Sequence, residues 1–262
     1  MNLIISLVKR DYRFTFKNLL IRSIFFTMIF TIFGILDVMK NKSIQADDIN
    51  LFFSQLKSIK YFDRASGNQF PFIWFFVNFF VIFNLGDNFY NDLKKNGKYV
   101  LVRCGNIKYF YIVKVMLLIV NTIIYYILLF GIIMILSKIF LNPSEVTCIE
   151  GVTINNSTVT IMLWVLYTTT SICLVLIQNM LSLVMNPKFS CLISILLLFL
   201  SLVIIYNVLP GQQSLILRHV PFDNSTNLTV LKSALYNFAL STVTIIAGYT
   251  VFLKKDIYWE DE

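Results

Sequence analysis

The chain has 262 residues, 57% of them hydrophobic and only 14% charged, with a mean hydropathy of +0.74. That balance excludes an ordinary soluble domain, and with 9 Gly, 5 Pro and no repeating period it also excludes a collagen, a solenoid or a disordered tail. The formal net charge of +8 would suit nucleic acid, but the cations flank apolar stretches instead of forming a separate basic face, so no nucleic-acid partner is expected.

In chain order, the first element is a cationic amphipathic helix over residues 1–18. On a helical wheel Ser6, Lys9, Arg10, Arg13 and Lys17 share one arc of about 100°, with Leu3, Ile4, Leu7, Val8, Tyr12, Phe14 and Phe16 elsewhere. Such a helix lies on the inner leaflet and takes membrane lipids as its partner. Asp11 breaks the pattern, either capping a neighbour, pairing with a basic residue of the bundle or standing as a tolerated defect. The leading apolar group is short and Lys9 through Arg22 follow it, so no cleavable signal peptide is expected.

Six apolar stretches then follow: Leu19–Val38, Phe70–Asn88, Phe110–Ser137, Val159–Met185, Cys191–Leu209 and Leu231–Leu253. At about 1.5 Å per residue each can cross a hydrocarbon core of about 30 Å. The runs are too long and continuous for a transmembrane barrel. The expected fold class is therefore all-α: one polytopic helical membrane domain with six transmembrane helices. Lys and Arg collect around residues 9–22, 94–108, 188 and 254–255, which puts both termini in the cytoplasm. Lys40, Lys42, Lys57, Lys60 and Arg64 oppose this in the first external connection, partly balanced by Asp47, Asp48 and Asp63.

Inside the stretches the polar residues are neutral. Asn78, Asn84, Asn121, Thr168–Thr170, Gln178 and Asn179 either bond helix to helix or line a substrate path. An ion-coupled secondary transporter would want an ionisable group near the midplane; Asp37 and Asp87 sit only at span ends. The one histidine, His219, lies beside Arg218 with no nucleophile–base spacing around it, so no catalytic residue is expected. The four cysteines, Cys104, Cys148, Cys173 and Cys191, form no CxxC pair or metal cluster. No GxxxxGK[ST] loop is present, so any ATPase must be a separate chain.

Between the second and third stretches the chain reads GDNFYNDLKKNGKYVLVRCGNIKYFYIVK. Asn96-Gly97 and Gly105-Asn106 are turn signals around a short run, Lys98–Arg103, that carries both cations and apolar side chains. It reads equally as a docking helix or as a solvated basic loop.

This layout resembles the permease subunit of a bacterial type-2 ATP-binding-cassette exporter. In that family a cytoplasmic coupling helix joins the second and third spans; here the segment 89–109 holds Asp92, Gly97, Tyr99–Val102, Arg103-Cys104-Gly105 and Lys114 in the corresponding order. The resemblance implies that Asp92, Lys94, Lys95, Gly97, Lys98, Tyr99, Val102 and Arg103 couple to the ATPase. It also implies short external re-entrant helices within 210–230, where Leu215, Ile216, Leu217 and Val220 are interrupted by Pro210, Gly211 and Pro221.

The implied partners are a separate ATPase subunit and a second permease, identical or related. ATP and Mg would be bound by the ATPase, and no cofactor by this chain. The expected cargo is amphipathic, a peptide such as a bacteriocin or peptide toxin first among the choices. The alternatives are a non-transporting immunity or scaffold protein and an ion-coupled secondary transporter.

Overall fold

The computed structural model describes residues 10, 17–40, 56, 70–94, 97, 107–140, 146–149, 152–204, 206, 208–223 and 227–254. Six long helices follow one another among them: α1 (Lys17–Lys40), α2 (Phe72–Leu85), α3 (Ile107–Phe140), α4 (Asn156–Val184), α5 (Pro187–Val203) and α6 (Val230–Lys254). After a turn at Gly86 and Asp87, helix resumes beyond α2 as far as Lys94. A helix thus lies over each apolar stretch. Four, Phe72–Lys94, Lys108–Leu136, Asn156–Val184 and Val230–Lys254, are long and apolar enough to cross a membrane. The other apolar helical runs, Ile21–Ile32 and Pro187–Val203, are shorter.

Two features depart from the sequence reading. An antiparallel ribbon, β1 (Val146–Ile149) and β2 (Val152–Asn155), stands between α3 and α4, with Val146 opposite Asn155 and Ile149 opposite Val152. Its β-branched residues suit strands, and Asn155 ends it by capping α4, its side chain accepting from Ser157 N at 3.0 Å. The fifth apolar stretch is also helical only to Val203, not to Leu209. Gln212 supplies the stop: its Nε2 donates to Ile204 O at 2.6 Å and its Oε1 accepts from Leu209 N at 3.0 Å. Pro210 holds Leu209 extended and opens the 3-10 helix that follows.

The helices are arranged around α4, which packs most extensively on α6 and also touches α2, α3 and α5, while α1 lies on α3. In its middle turns α4 is buried almost all round, from Leu166 through Leu176. The outer helices invert the pattern of a water-soluble protein. On α6 the buried face is Ser233, Asn237, Ser241, Thr244 and Gly248, and the exposed face is Leu231, Leu235, Phe238, Val243 and Ile246. On α1 Ser23, Thr27 and Thr31 are buried while Ile21, Phe25, Met28 and Ile32 are exposed. Apolar side chains outside and small or hydroxyl-bearing ones in the seams are what a hydrocarbon solvent selects.

One hydrogen-bonded chain ties three helices together. Tyr126 OH on α3 donates to Ser171 Oγ on α4 at 2.6 Å, and Ser171 Oγ donates in turn to Asn78 Oδ1 on α2 at 3.0 Å. Asn78 Nδ2 then donates to Trp74 O at 2.8 Å. All four residues are buried, so each group would be costly to leave unmet. Ser171→Ala is expected to destabilise the fold by about 1–3 kcal/mol, read as a lowered Tm in detergent.

The segment between α5 and α6 forms two short 3-10 helices, Pro210–Ser214 and Ile216–Arg218, and every residue from Pro210 to His219 is buried. Trp74 Nε1 donates to Ser214 Oγ at 2.8 Å, fixing the segment to α2. Gly211 lets it approach α5: a Cβ there would strike Ser201 Oγ and lie 2.9 Å from Ser201 Cβ. Gly211→Ala is expected to cost about 1–3 kcal/mol through overpacking. Part of that loss should return in the Ser201→Ala background, as measured by thermal unfolding in detergent.

Candidate functional site at the basic end of the bundle

The candidate site lies where the second connection leaves α2 and enters α3. The helix after Gly86 carries Phe89, Asp92 and Leu93, and the first turns of α3 carry Phe110, Tyr111 and Lys114. Phe252, near the end of α6, completes an aromatic platform. Its ring centroid is 5.6 Å from Phe89, 6.2 Å from Phe110 and 5.5 Å from Tyr111. Aromatic pairs at these separations hold their partners beyond what area burial alone contributes. Tyr111 OH also donates to Ile245 O on α6 at 2.9 Å.

Charge is set on this platform. Asp92 Oδ2 accepts from Arg10 Nη2 at 2.7 Å and lies 2.6 Å from Lys114 Nζ. The side chains of Arg10, Asp92 and Lys114 are 27%, 18% and 10% exposed, so the ions meet with little solvent between them. The Lys114 ammonium also sits 5.6 Å from the Phe110 ring centroid. Lys94 and Lys108, on either side of the second connection, are exposed.

The sequence-named residues fall as follows. Of the coupling set, Asp92 is turned inward, Lys94 is exposed, and Gly97 lies against Leu93, where an added Cβ would make ordinary contact at 3.5 Å. Lys95, Lys98, Tyr99, Val102 and Arg103 lie outside the described residues. Of the interface helix, Arg10 is engaged with Asp92 and Lys17 opens α1, while Lys9 and Arg13 lie outside the described residues.

The neutral polar set is not one constellation. Asn78 belongs to the Tyr126–Ser171 chain, and Asn84 Nδ2 donates to its own helix at Phe80 O, 2.9 Å away. Asn121 is buried on α3. Gln178 Nε2 donates to Asp87 Oδ1 at 3.0 Å, across a contact that Gly86 makes possible. Gln178 Oε1, Asn179 Oδ1 and Asn237 Oδ1 are buried with no hydrogen-bond partner among the described residues.

His219 reveals a contact that the sequence did not. Its Nδ1 faces Leu215 O at 3.0 Å, and since a carbonyl only accepts, Nδ1 carries the proton. Nε2 then accepts from Ser233 Oγ at 2.8 Å, joining the segment before α6 to its first turn. A serine bonded to a histidine has the arrangement of a nucleophile and its base. Here both are buried, Ser233 at 0% and His219 at 1% exposure, so the pair closes a seam and is turned away from solvent.

The fold thus defines a class: a mainly α-helical protein with, among the described residues, four helices of membrane-crossing length and apolarity. Residues 51–258 match the family model described as "Protein of unknown function (DUF2705)", and the chain belongs to that family. No curated protein and no solved structure matches the chain.

Burial holds the His219 imidazole down at about 4, with the Arg218 charge adding to the effect and the bond to the Leu215 carbonyl opposing it. Between its ordinary 6.5 and about 4 the unfolded chain binds a proton that the folded chain does not. Stability should therefore fall as pH drops through that window, and His219→Gln should flatten the dependence in pH-resolved thermal unfolding.

Proposed function

We propose that the chain is the permease subunit of an ATP-binding-cassette exporter, with six spans in the cell membrane, both termini cytoplasmic, and ATP hydrolysed by a separate subunit. The observation that carries the reading is at the basic end of the bundle. Both roots of the second connection, at Leu93 and at Phe110, stand in one aromatic cluster that also takes in the end of α6. A push delivered to that connection by a docked ATPase would reach α2, α3 and α6 together. Such a connection transmits work if ATP closes the ATPases and thereby shifts the permeases between inward-open and outward-open states.

The permease would pair with a second copy or a related subunit, and 210–230 would supply the external re-entrant segment. The apolar interior with neutral polar groups suits an amphipathic cargo, a peptide before a lipid or a drug.

The test is copurification of the chain in detergent with candidate ATPase subunits of its source cell, followed by vanadate-sensitive ATP hydrolysis. A stable hydrolysing complex is expected, and replacing Tyr99 and Arg103 should break it while leaving the permease folded. Absence of any ATPase partner under conditions that preserve the fold would replace this reading with that of a non-transporting immunity or scaffold protein.

A further inference from the structure

We infer that Asp92 is a positioning residue that fastens the N-terminal segment to the second connection, so that the two move as one body. Three segments distant in sequence meet at one carboxylate oxygen. Arg10 belongs to the N-terminal segment, Asp92 lies two residues before the exposed Lys94 where the second connection begins, and Lys114 stands two turns into α3.

Two cations on a single Oδ2 at 2.7 and 2.6 Å, at 10–27% side-chain exposure, make a clasp that water screens little. Beside the clasp the Phe89, Phe110 and Phe252 rings pack on one another, and the Phe110 ring centroid lies 5.6 Å from Lys114 Nζ. The Arg10 link to Asp92 spans 82 residues of sequence and ties the N-terminal segment to the bundle. A carboxylate turned inward onto these two cations serves the shape of the connection and leaves the exposed Lys94 and Lys108 to face outward.

The clasp itself can be tested without any ATPase, by acetylating lysines of the full-length protein in membranes with acetic anhydride and quantifying each site by mass spectrometry. Lys114 should react far less than the exposed Lys108. In Asp92→Asn its reactivity should rise about five-fold as the site opens locally, and Asp92→Glu should restore protection. Lys114 reacting as readily as Lys108 in the unaltered protein would overturn the clasp.

The motional part of the inference rests on the exporter reading and uses the ATPase complex. Trapping with ATP and vanadate should change the acetylation of Lys9 and Lys17. In Asp92→Asn, and in the milder Arg10→Gln that spares the Lys114 pair, that response should vanish while the complex still forms and hydrolyses ATP. An unchanged response in both variants would overturn the inference. Loss of ATPase binding in Asp92→Asn alone would overturn it too, by making Asp92 a docking contact. Failure of the unaltered chain to bind any ATPase would sink the exporter reading and leave the acetylation result standing.

Discussion

The arrangement depends on how polar side chains are used where the solvent-facing surface is apolar. The exposed faces of α1, α5 and α6 are built from Ile, Leu, Phe and Val, while their buried faces carry Ser, Thr and Asn. Against hydrocarbon there is no hydrophobic gain in bringing such helices together, so association rests on close packing and on hydrogen bonds between them. Helix α4 meets both needs. Its Ser171 binds α2, its Gln178 binds Asp87 in the turn after α2, its Thr170 accepts from Asn237 of α6 at 3.0 Å, and Gly86 allows the Gln178 side chain to approach closely. Asn78, Ser171, Gln178, Thr170 and Asn237 bond between segments, while Asn84, Thr122 and Thr168 bond within their own helices.

The two ends of the bundle solve different problems. At one end the 3-10 segment 210–218 is wedged among α2, α4 and α5, held by Trp74 to Ser214 and by the double bond pattern of Gln212. At the other, the aromatic cluster around Phe252 joins the roots of the second connection, and the Asp92 ions sit on it. The bonds of Trp74 and Gln212 fasten the first end, and ions in a partly screened setting brace the second. A carboxylate shared by two cations holds its geometry more firmly than a single exposed pair, whose worth is about 0–1 kcal/mol.

Contacts between residues apart in sequence, and elements too short to show a period, shape several parts of the fold. The fifth helix stops at Val203 because Gln212, eight residues beyond Ile204, reaches back to cap it; hydropathy has no term for such a contact. The ribbon 146–155 was hidden because two strands of four residues are too short to show a period between long apolar runs. His219 stood in the sequence as an isolated polar residue of a loop, while in the fold it is enclosed between Leu215 and Ser233. Asp92 was legible as an acidic residue of a basic connection, yet its partners lie 82 residues before it and 22 after it, and spacing alone could not name them.

Composition and hydropathy by themselves determined that the chain is mainly helical and where its helices lie, because a backbone without water must bond within its own segment and long apolar runs admit little else. Tertiary structure alone decided which polar residues bond to which, that Asn78, Ser171 and Tyr126 form one chain, and that Asp92 turns inward to Arg10 and Lys114. Those pairings depend on the rotation and depth of each helix against its neighbours. Such quantities are set by the packing of side chains in the seams, and no one-dimensional pattern carries them.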